Sequence, residues 1–563
     1  MKTQVRLSPS PRYLRLQDDS PNVVADGGAD TLAPAVKVNE LGLVKAWVDE
    51  CVSAHKTCNP PAGTQLRYPT RLIQVNTKSD TEVQLVETTT TNSNTIRGPY
   101  NVVSYRWGSF QPVKLLQSNI AQLRKGIALN SLPRTLADAV EVTRAMGVAY
   151  LWIDALCIIQ DSVEDWGIEA RRMADVYGNA HCSLAASHNV DSNGGLSPRI
   201  AGGCRGRPVS VRFPTTSDWD LPYCDLELVE HNFWNNRVED APLNTRGWVV
   251  QERILAPRTI HFTFDQPVLE CREKRFSRTR IDLDFDISHR RVVLPVPSAV
   301  DRDPVAFAKY WDRVVSYYTN RQLTFPNDRP VAIAGIARAL QHARGRETKY
   351  IAGMWSRGLR RWLLWQAVDA EYPVAYRGPS WSWLAVNGRI FYDSDAIQGF
   401  RYLRVASHAK IESWRIITTD GTAFGDITAA VLELKALLCP VNILEDRSEF
   451  VASLRQEPGA SHRTPLESWI LESELSWSWD VSAEDVVKRK KSHDVSVVPI
   501  MEVTPTKMSN EACLYALIIE RVDMHGQSSV YRRIGVLAVF GATRKAEKGE
   551  ERKCGNQETL WLV

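Results

Sequence analysis

The segment "LPRTLADAVEVTRAMGVAYLWIDALCII", Leu132 to Ile159, changes its hydrophobic period part-way along. In its first half Leu136, Ala139, Val140, Thr143 and Met146 fall on one helical face, with Pro133 in a first-turn position and Gly147 as a stop. The second half, from Val148, is almost wholly apolar and reads as a strand buried on both faces. Upstream, "YNVVSYRW" (Tyr100 to Trp107) is a β-rich run. Downstream, Ser162 and Asp165 form a capping-box pattern before a helix that carries Trp166, Ala170, Met173 and Tyr177 on one face; "HCSLAAS" then supplies a third strand. Strand, helix, strand, helix, strand predicts an α/β fold of βαβ units around a mostly parallel sheet, with Val102–Trp107 and Tyr150–Leu156 adjacent and parallel. Such sheets bind ligands beyond the C-terminal ends of their strands, which singles out Arg106 and Trp107 after the first strand and Asp154 near the end of the second.

At 563 residues the chain exceeds a single core, and two or three domains are expected. Apolar residues at 44% and charged residues at 24% are ordinary for a globular protein, whereas 18 tryptophans point to aromatic-rich cores or pockets. A net charge of +4, with both signs interspersed, gives no footprint for nucleic acid or an anionic membrane. The first residues lack an apolar signal core and no run of about eighteen apolar residues follows, so no membrane span is expected and the reading is intracellular. Ten cysteines without dense spacing fit reduced thiols in the cytoplasm or nucleus. The basic run Lys488–Lys491 has the look of a nuclear signal but follows Glu484 and Asp485, and reads first as a solvated loop.

Residues 1–40 are rich in Pro, Ser, Asp and Gly and read as disordered; 41–96 as a helix and short strands; 97–265 as the α/β domain; 266–400 as helical and Trp-rich; 401–563 as mostly β. On the helix 41–58, Leu43, Trp47, Cys51 and Ala54 share a face. Cys51, His55 and Cys58 stand at metal-compatible spacings of four and three, but a structural zinc needs four ligands and no matched second pair lies nearby. They read as core thiols with a capping histidine; no metal and no cofactor is assigned.

The blocks "YNVVSYRWG", Leu132 to Ser187, "GGLSPR" and "LNTRGWVVQERILAPRTIHF" (Leu243 to Phe262), in that order, resemble the fungal heterokaryon incompatibility (HET) domain family. "YYTNRQLTFPNDRPVAIAGIA", "IAGMW", "GPSWSW" and "YRRIGVL" look like the regions that accompany this domain in stand-alone members. The resemblance implies a fungal protein of non-self recognition and programmed cell death. Arg106 stands where many members have Cys. The family's core is similar to that of TIR domains, with a flavodoxin-like sheet and a nucleotide pocket built by a strand ending in Ser-Tyr, a strand ending in an acid and a Trp-x-x-x-Glu helix.

That likeness makes Glu252 the candidate catalytic carboxylate, stabilising the cation formed when nicotinamide leaves a ribose, with Arg246, Trp248 and Gln251 around the ligand. The alternatives are an ion pair of Glu252 with Arg246, Arg253 or Arg258, and a ligand-positioning role. Arg106 and Asp154 either hold phosphate and ribose or pair with each other. Trp381 and Trp383, on one side of an extended segment, either floor an apolar pocket or fill a core. Three functions therefore stand: a nucleotide-cleaving incompatibility effector, a cofactor-independent cyclase or isomerase of secondary metabolism acting on an apolar intermediate, and a non-catalytic interaction protein. The partners expected are a small molecule, nucleotide or apolar metabolite, and a second copy of the chain.

Overall fold

A computed structural model describes residues 2–7, 13–17, 33–60, 67–77, 79–88, 96–108, 113–196, 209–214, 223–230, 232–277, 303–344, 348–392, 403–442, 453–454, 474–480, 495–505, 511–525, 528–543 and 557–563. The basic run Lys488–Lys491 lies outside them. The chain divides into two compact units, 1–294 and 295–563. No helix among the described residues is long and apolar enough to cross a membrane.

The first unit contains, in chain order, α1 (Ala33–Ala54), β1 (Arg71–Gln74), β2 (Glu82–Glu87), β3 (Tyr100–Ser104), β4 (Ile127–Ala128), α2 (Arg134–Ala145), β5 (Tyr150–Trp152), the single turn α3 (Asp154–Cys157), α4 (Val163–Gly178), β6 (Cys182–Ala185), α5 (Gly247–Leu255), β7 (Arg258–Phe262), β8 (Pro267–Cys271) and β9 (Arg275–Ser277). The strands make one nine-stranded sheet, ordered β9-β8-β7-β6-β3-β5-β1-β2-β4. Its four central strands are parallel: β5 on β3, β3 on β6 and β6 on β7, with Val102 opposite both Trp152 and Ser183. Numbered along the chain, these four lie in the order 2-1-3-4, so the winding reverses between β3 and β6. Both flanks are antiparallel, so the expected parallel sheet is the middle of a mixed one.

Helix α2 ends as the sequence requires. Gly147 takes φ 74, and the amides of Gly147 and Val148 donate to the carbonyls of Arg144 and Thr143, a Schellman closure that satisfies two terminal acceptors. Pro133 is its N-cap residue rather than part of its first turn. At α4 the Ser162 hydroxyl accepts from the Asp165 amide, but the Asp165 carboxylate pairs with Arg71 and accepts from the Ile159 amide instead of completing a box.

Three expectations are corrected. The strand beginning at Tyr150 stops at Trp152, and Asp154 opens a helical turn instead of sitting inside a strand. Trp166 is 41% exposed, and the buried face of α4 is Ala170, Met173, Val176 and Tyr177. The first forty residues are not structureless: Lys2–Leu7 and Tyr13–Gln17 are paired strands, the former also pairing with Tyr223–Glu230, and α1 begins at Ala33. Their polar composition hid both.

In the second unit, helices Pro304–Thr319 and Arg329–Arg344 accompany a sheet of long antiparallel strands, including Glu511–His525 and Ser528–Thr543. Trp311, Trp355, Trp362, Trp365, Trp381 and Trp383 are core: Trp311 and Trp355 meet edge-on with ring centroids 5.3 Å apart, and both are fully buried, whereas Trp414 is exposed. Arg533 is buried among them. Its guanidinium lies 3.5 Å from the Trp365 ring centroid and donates to the carbonyls of Leu363 (2.5 Å) and Trp365 (2.6 Å) and to Asp480 (2.8 Å). Arg533→Met would leave a buried carboxylate and two carbonyls without a donor. It is expected to lower stability by about 3–5 kcal/mol, read as an earlier unfolding transition in urea, whereas a surface substitution such as Arg415→Met leaves that transition in place.

Candidate active site

Strand β3 is buried along its whole length, and the chain leaves its C-terminal end through Tyr105, Arg106 and Trp107. Ser104, its last residue, donates from Oγ to Glu252 Oε2 at 2.5 Å. Glu252 comes from the buried face of α5, which packs across α4. From α4 the Tyr177 hydroxyl donates to the Val103 carbonyl at 3.4 Å and lies close enough to Glu252 for the two groups to act on each other electrostatically.

Asp154 stands at the end of the neighbouring strand β5. Its Oδ1 accepts the Ala155 amide (2.7 Å) and its Oδ2 the Trp107 indole N–H (2.8 Å). Arg246, half-buried at the N-cap of α5, donates to the Tyr105 carbonyl at 2.6 Å, and its charge acts on both carboxylates. Burial pushes the carboxyls of Glu252 and Asp154 above their ordinary range; the Arg246 charge opposes both rises, and the Asp154 charge adds to that of Glu252. Burial also holds the Tyr105 and Tyr177 hydroxyls in their neutral form.

The other sequence candidates are distributed as follows. Arg106 donates to the Pro242 carbonyl at 3.2 Å and is not paired with Asp154. Trp107 orients Asp154. Trp248 is half-buried and Gln251 buried on α5. Neither Arg253 nor Arg258 neutralises Glu252: Arg253 binds Glu239 and Glu270, while Arg258 donates to the carbonyls of Cys58 and His181 and to Asn59. Adjacency in sequence misled here, because successive helical residues point about 100° apart, so Arg253 leaves the face that carries Glu252. Trp381 and Trp383 belong to the second unit, fully buried, with the Trp381 carbonyl accepting from Trp365 and the Trp383 indole donating to Gly353. They fill a core.

Ser104, Tyr105 and Tyr177 were not singled out. The Ser-Tyr ending of β3 carried a signal for the first two; nothing in the sequence marked Tyr177 beyond its place on a core face. A further chain, Ser187 to His261 (2.9 Å) to Glu270 (3.1 Å), has the order of a hydrolase triad. All three side chains are enclosed and Glu270 also binds Arg253, so the chain ties the segment after β6 to β7 and β8.

Residues 100–252 match the family model described as heterokaryon incompatibility protein (HET). This chain carries a HET domain. Comparison with curated proteins and with solved structures found no match. The HET match opens on Tyr100, the first residue of β3, and closes on Glu252, so that Ser104, Asp154, Arg246 and Glu252 all fall within it.

The raised Glu252 carboxyl makes the HET domain's stability depend on pH. A folded-state value above the ordinary 4.5 gives stabilisation that is complete below that pH and is lost as pH rises through the folded value. Urea unfolding from pH 4 upward should therefore show a fall that Glu252→Gln flattens. Arg246→Met should steepen it, since it removes the charge that limits both carboxyl shifts.

Proposed function

We propose that the HET domain binds a nucleotide at the C-terminal ends of β3 and β5 and that Glu252 acts on its ribosyl bond, as part of a fungal non-self recognition and cell-death response. The observation that carries this reading is the gathering of buried Glu252, half-buried Asp154 and half-buried Arg246 at the C-terminal ends of β3 and β5, with the Arg246 charge acting on both carboxylates, beside the point where the winding of the sheet reverses. The strand order 2-1-3-4 is that of flavodoxin-like sheets, whose ligands sit at this reversal. Arg246 and Arg106 each spend one N–H on a backbone carbonyl and keep further donors for phosphate oxygens. Asp154, already oriented by Trp107, faces the position of a ribose hydroxyl.

In the reaction with NAD, the bond between ribose C1′ and the pyridine nitrogen breaks and nicotinamide leaves with the bonding pair. The Glu252 carboxylate stabilises the cation left on the ribose, and water adds its hydroxyl to C1′ and releases a proton. The apolar-metabolite reading rested on Trp381 and Trp383 and loses its support with their enclosure.

The test is nicotinamide release from NAD by the full chain, alone and forced to self-associate by a fused oligomeriser. Glu252→Gln should lower release by about 10²-fold or more while the thermal unfolding midpoint stays near that of the wild type. Wild-type protein that releases no nicotinamide in either state would remove the proposal, as would a Glu252→Gln variant that keeps full turnover.

A further inference from the structure

The two thiols and the histidine at the end of α1 lacked a fourth ligand in the sequence, and the fold brings one. Cys271, at the end of β8, lies 216 residues beyond His55, and its sulfur stands 3.2 Å from His55 Nδ1. Cys58 Sγ is 3.9 Å from the same nitrogen. The ligand atoms of Cys51, His55, Cys58 and Cys271 all lie within 4.8 Å of one another. A tetrahedral zinc with Zn–S near 2.3 Å and Zn–N near 2.0 Å sets its ligand atoms roughly 3.5–3.8 Å apart, so these four need shift only by tenths of an ångström to share one ion. The sequence offered only three of the four because the fourth residue is remote in the chain.

We propose that Cys51, His55, Cys58 and Cys271 form a structural zinc site that fastens α1 to the β8–β9 hairpin. The sulfurs have donors around them, although Cys271 Sγ also lies 3.2 Å from the Lys274 carbonyl. The Lys274 amide donates to Cys271 Sγ at 3.2 Å, with the Glu273 backbone also directed at that sulfur and the Arg272 backbone at Cys58. Arg258 Nε donates to Cys51 Sγ at 3.3 Å. Three thiolates and one dication leave a net charge of −1, and the Arg258 guanidinium beside Cys51 offsets it. Three sulfurs and one imidazole in a closed tetrahedron select zinc over the oxygen-seeking magnesium and calcium, and leave no open position for a substrate.

The site also braces the candidate active site. Arg272, next to Cys271, donates to the Thr57 carbonyl (2.9 Å) and to Leu255 at the C-terminal end of α5 (3.1 Å). Glu273 accepts from the Thr57 amide (2.6 Å) and hydroxyl (2.8 Å). Loss of the ion loosens the hairpin and with it the end of the helix that bears Glu252.

Metal content of the full chain, purified without added chelator and measured by inductively coupled plasma mass spectrometry, tests the proposal. About one zinc per chain is expected. Cys271→Ser and Cys58→Ser should fall to a small fraction of that with a lowered unfolding midpoint, whereas Cys182→Ser, a buried thiol outside the cluster, keeps the metal. Because the cluster variants could simply misfold, the wild-type protein supplies a second readout. Titration with a mercurial should release zinc to a colorimetric chelator, and replacement by cobalt should give the intense visible bands and thiolate charge-transfer absorption of a tetrahedral three-sulfur, one-nitrogen site. Wild-type protein that is folded and zinc-free and gives no tetrahedral cobalt spectrum overturns the proposal, as does a disulfide between any two of Cys51, Cys58 and Cys271 in protein isolated under reducing conditions.

Discussion

Glu252 sits where a charge is expensive. Taking a carboxylate out of water costs several kcal/mol, so the groups around it are constrained to answer it. Ser104 and Tyr177 answer with hydroxyls and Arg246 with charge. These partners fix the depth and rotation at which α5 docks on the sheet. The other polar residues of that segment then fall into place: Arg253 reaches Glu239 and Glu270, and Arg258 reaches the end of α1. The helix is held on three sides, and a carboxyl raised above its ordinary range by burial is kept still rather than screened.

How much of this was legible depended on distance along the chain. The period change at Gly147 told helix from strand because each pattern is local, and the glycine's left-handed conformation is the physical form of that boundary. The pairing of β3 with β5 followed from the strand-helix-strand pattern they make with α2. The antiparallel flanks were not legible, because β8 and β9 reach the sheet only by folding back on β7, and the hydrophobic run of β5 hid a turn that Asp154 starts by accepting the next residue's amide.

The candidate site was legible by rule rather than by residue. The expectation that chemistry gathers at strand ends located Asp154 and the Ser-Tyr-Arg-Trp stretch, and the HET-like string located Glu252. Sequence neighbours then failed as spatial neighbours: Arg253, next to Glu252, and Arg258, six positions on, serve other groups, and Trp381 and Trp383 sit too deep to meet a ligand. The Cys271 ligand was invisible for the same reason, since nothing local to it carries a metal pattern.

The contacts that close the first unit are long in sequence: Arg258 to Cys51 spans 207 residues and Thr57 to Glu273 spans 216. Closure of such loops costs entropy before any contact rewards it, and the cost falls on a chain made from its N-terminus at roughly 5–20 residues per second. During synthesis β3, β5 and β6 can pair as soon as they emerge, but β6 keeps an open edge until β7 follows, and α1 has only α2 to pack on until β8 and the turn after it leave the ribosome. An unpaired central strand edge is a template for the wrong partner. The nascent chain is therefore most exposed to aggregation, and most in need of a chaperone, in the interval between the appearance of β6 and that of Cys271.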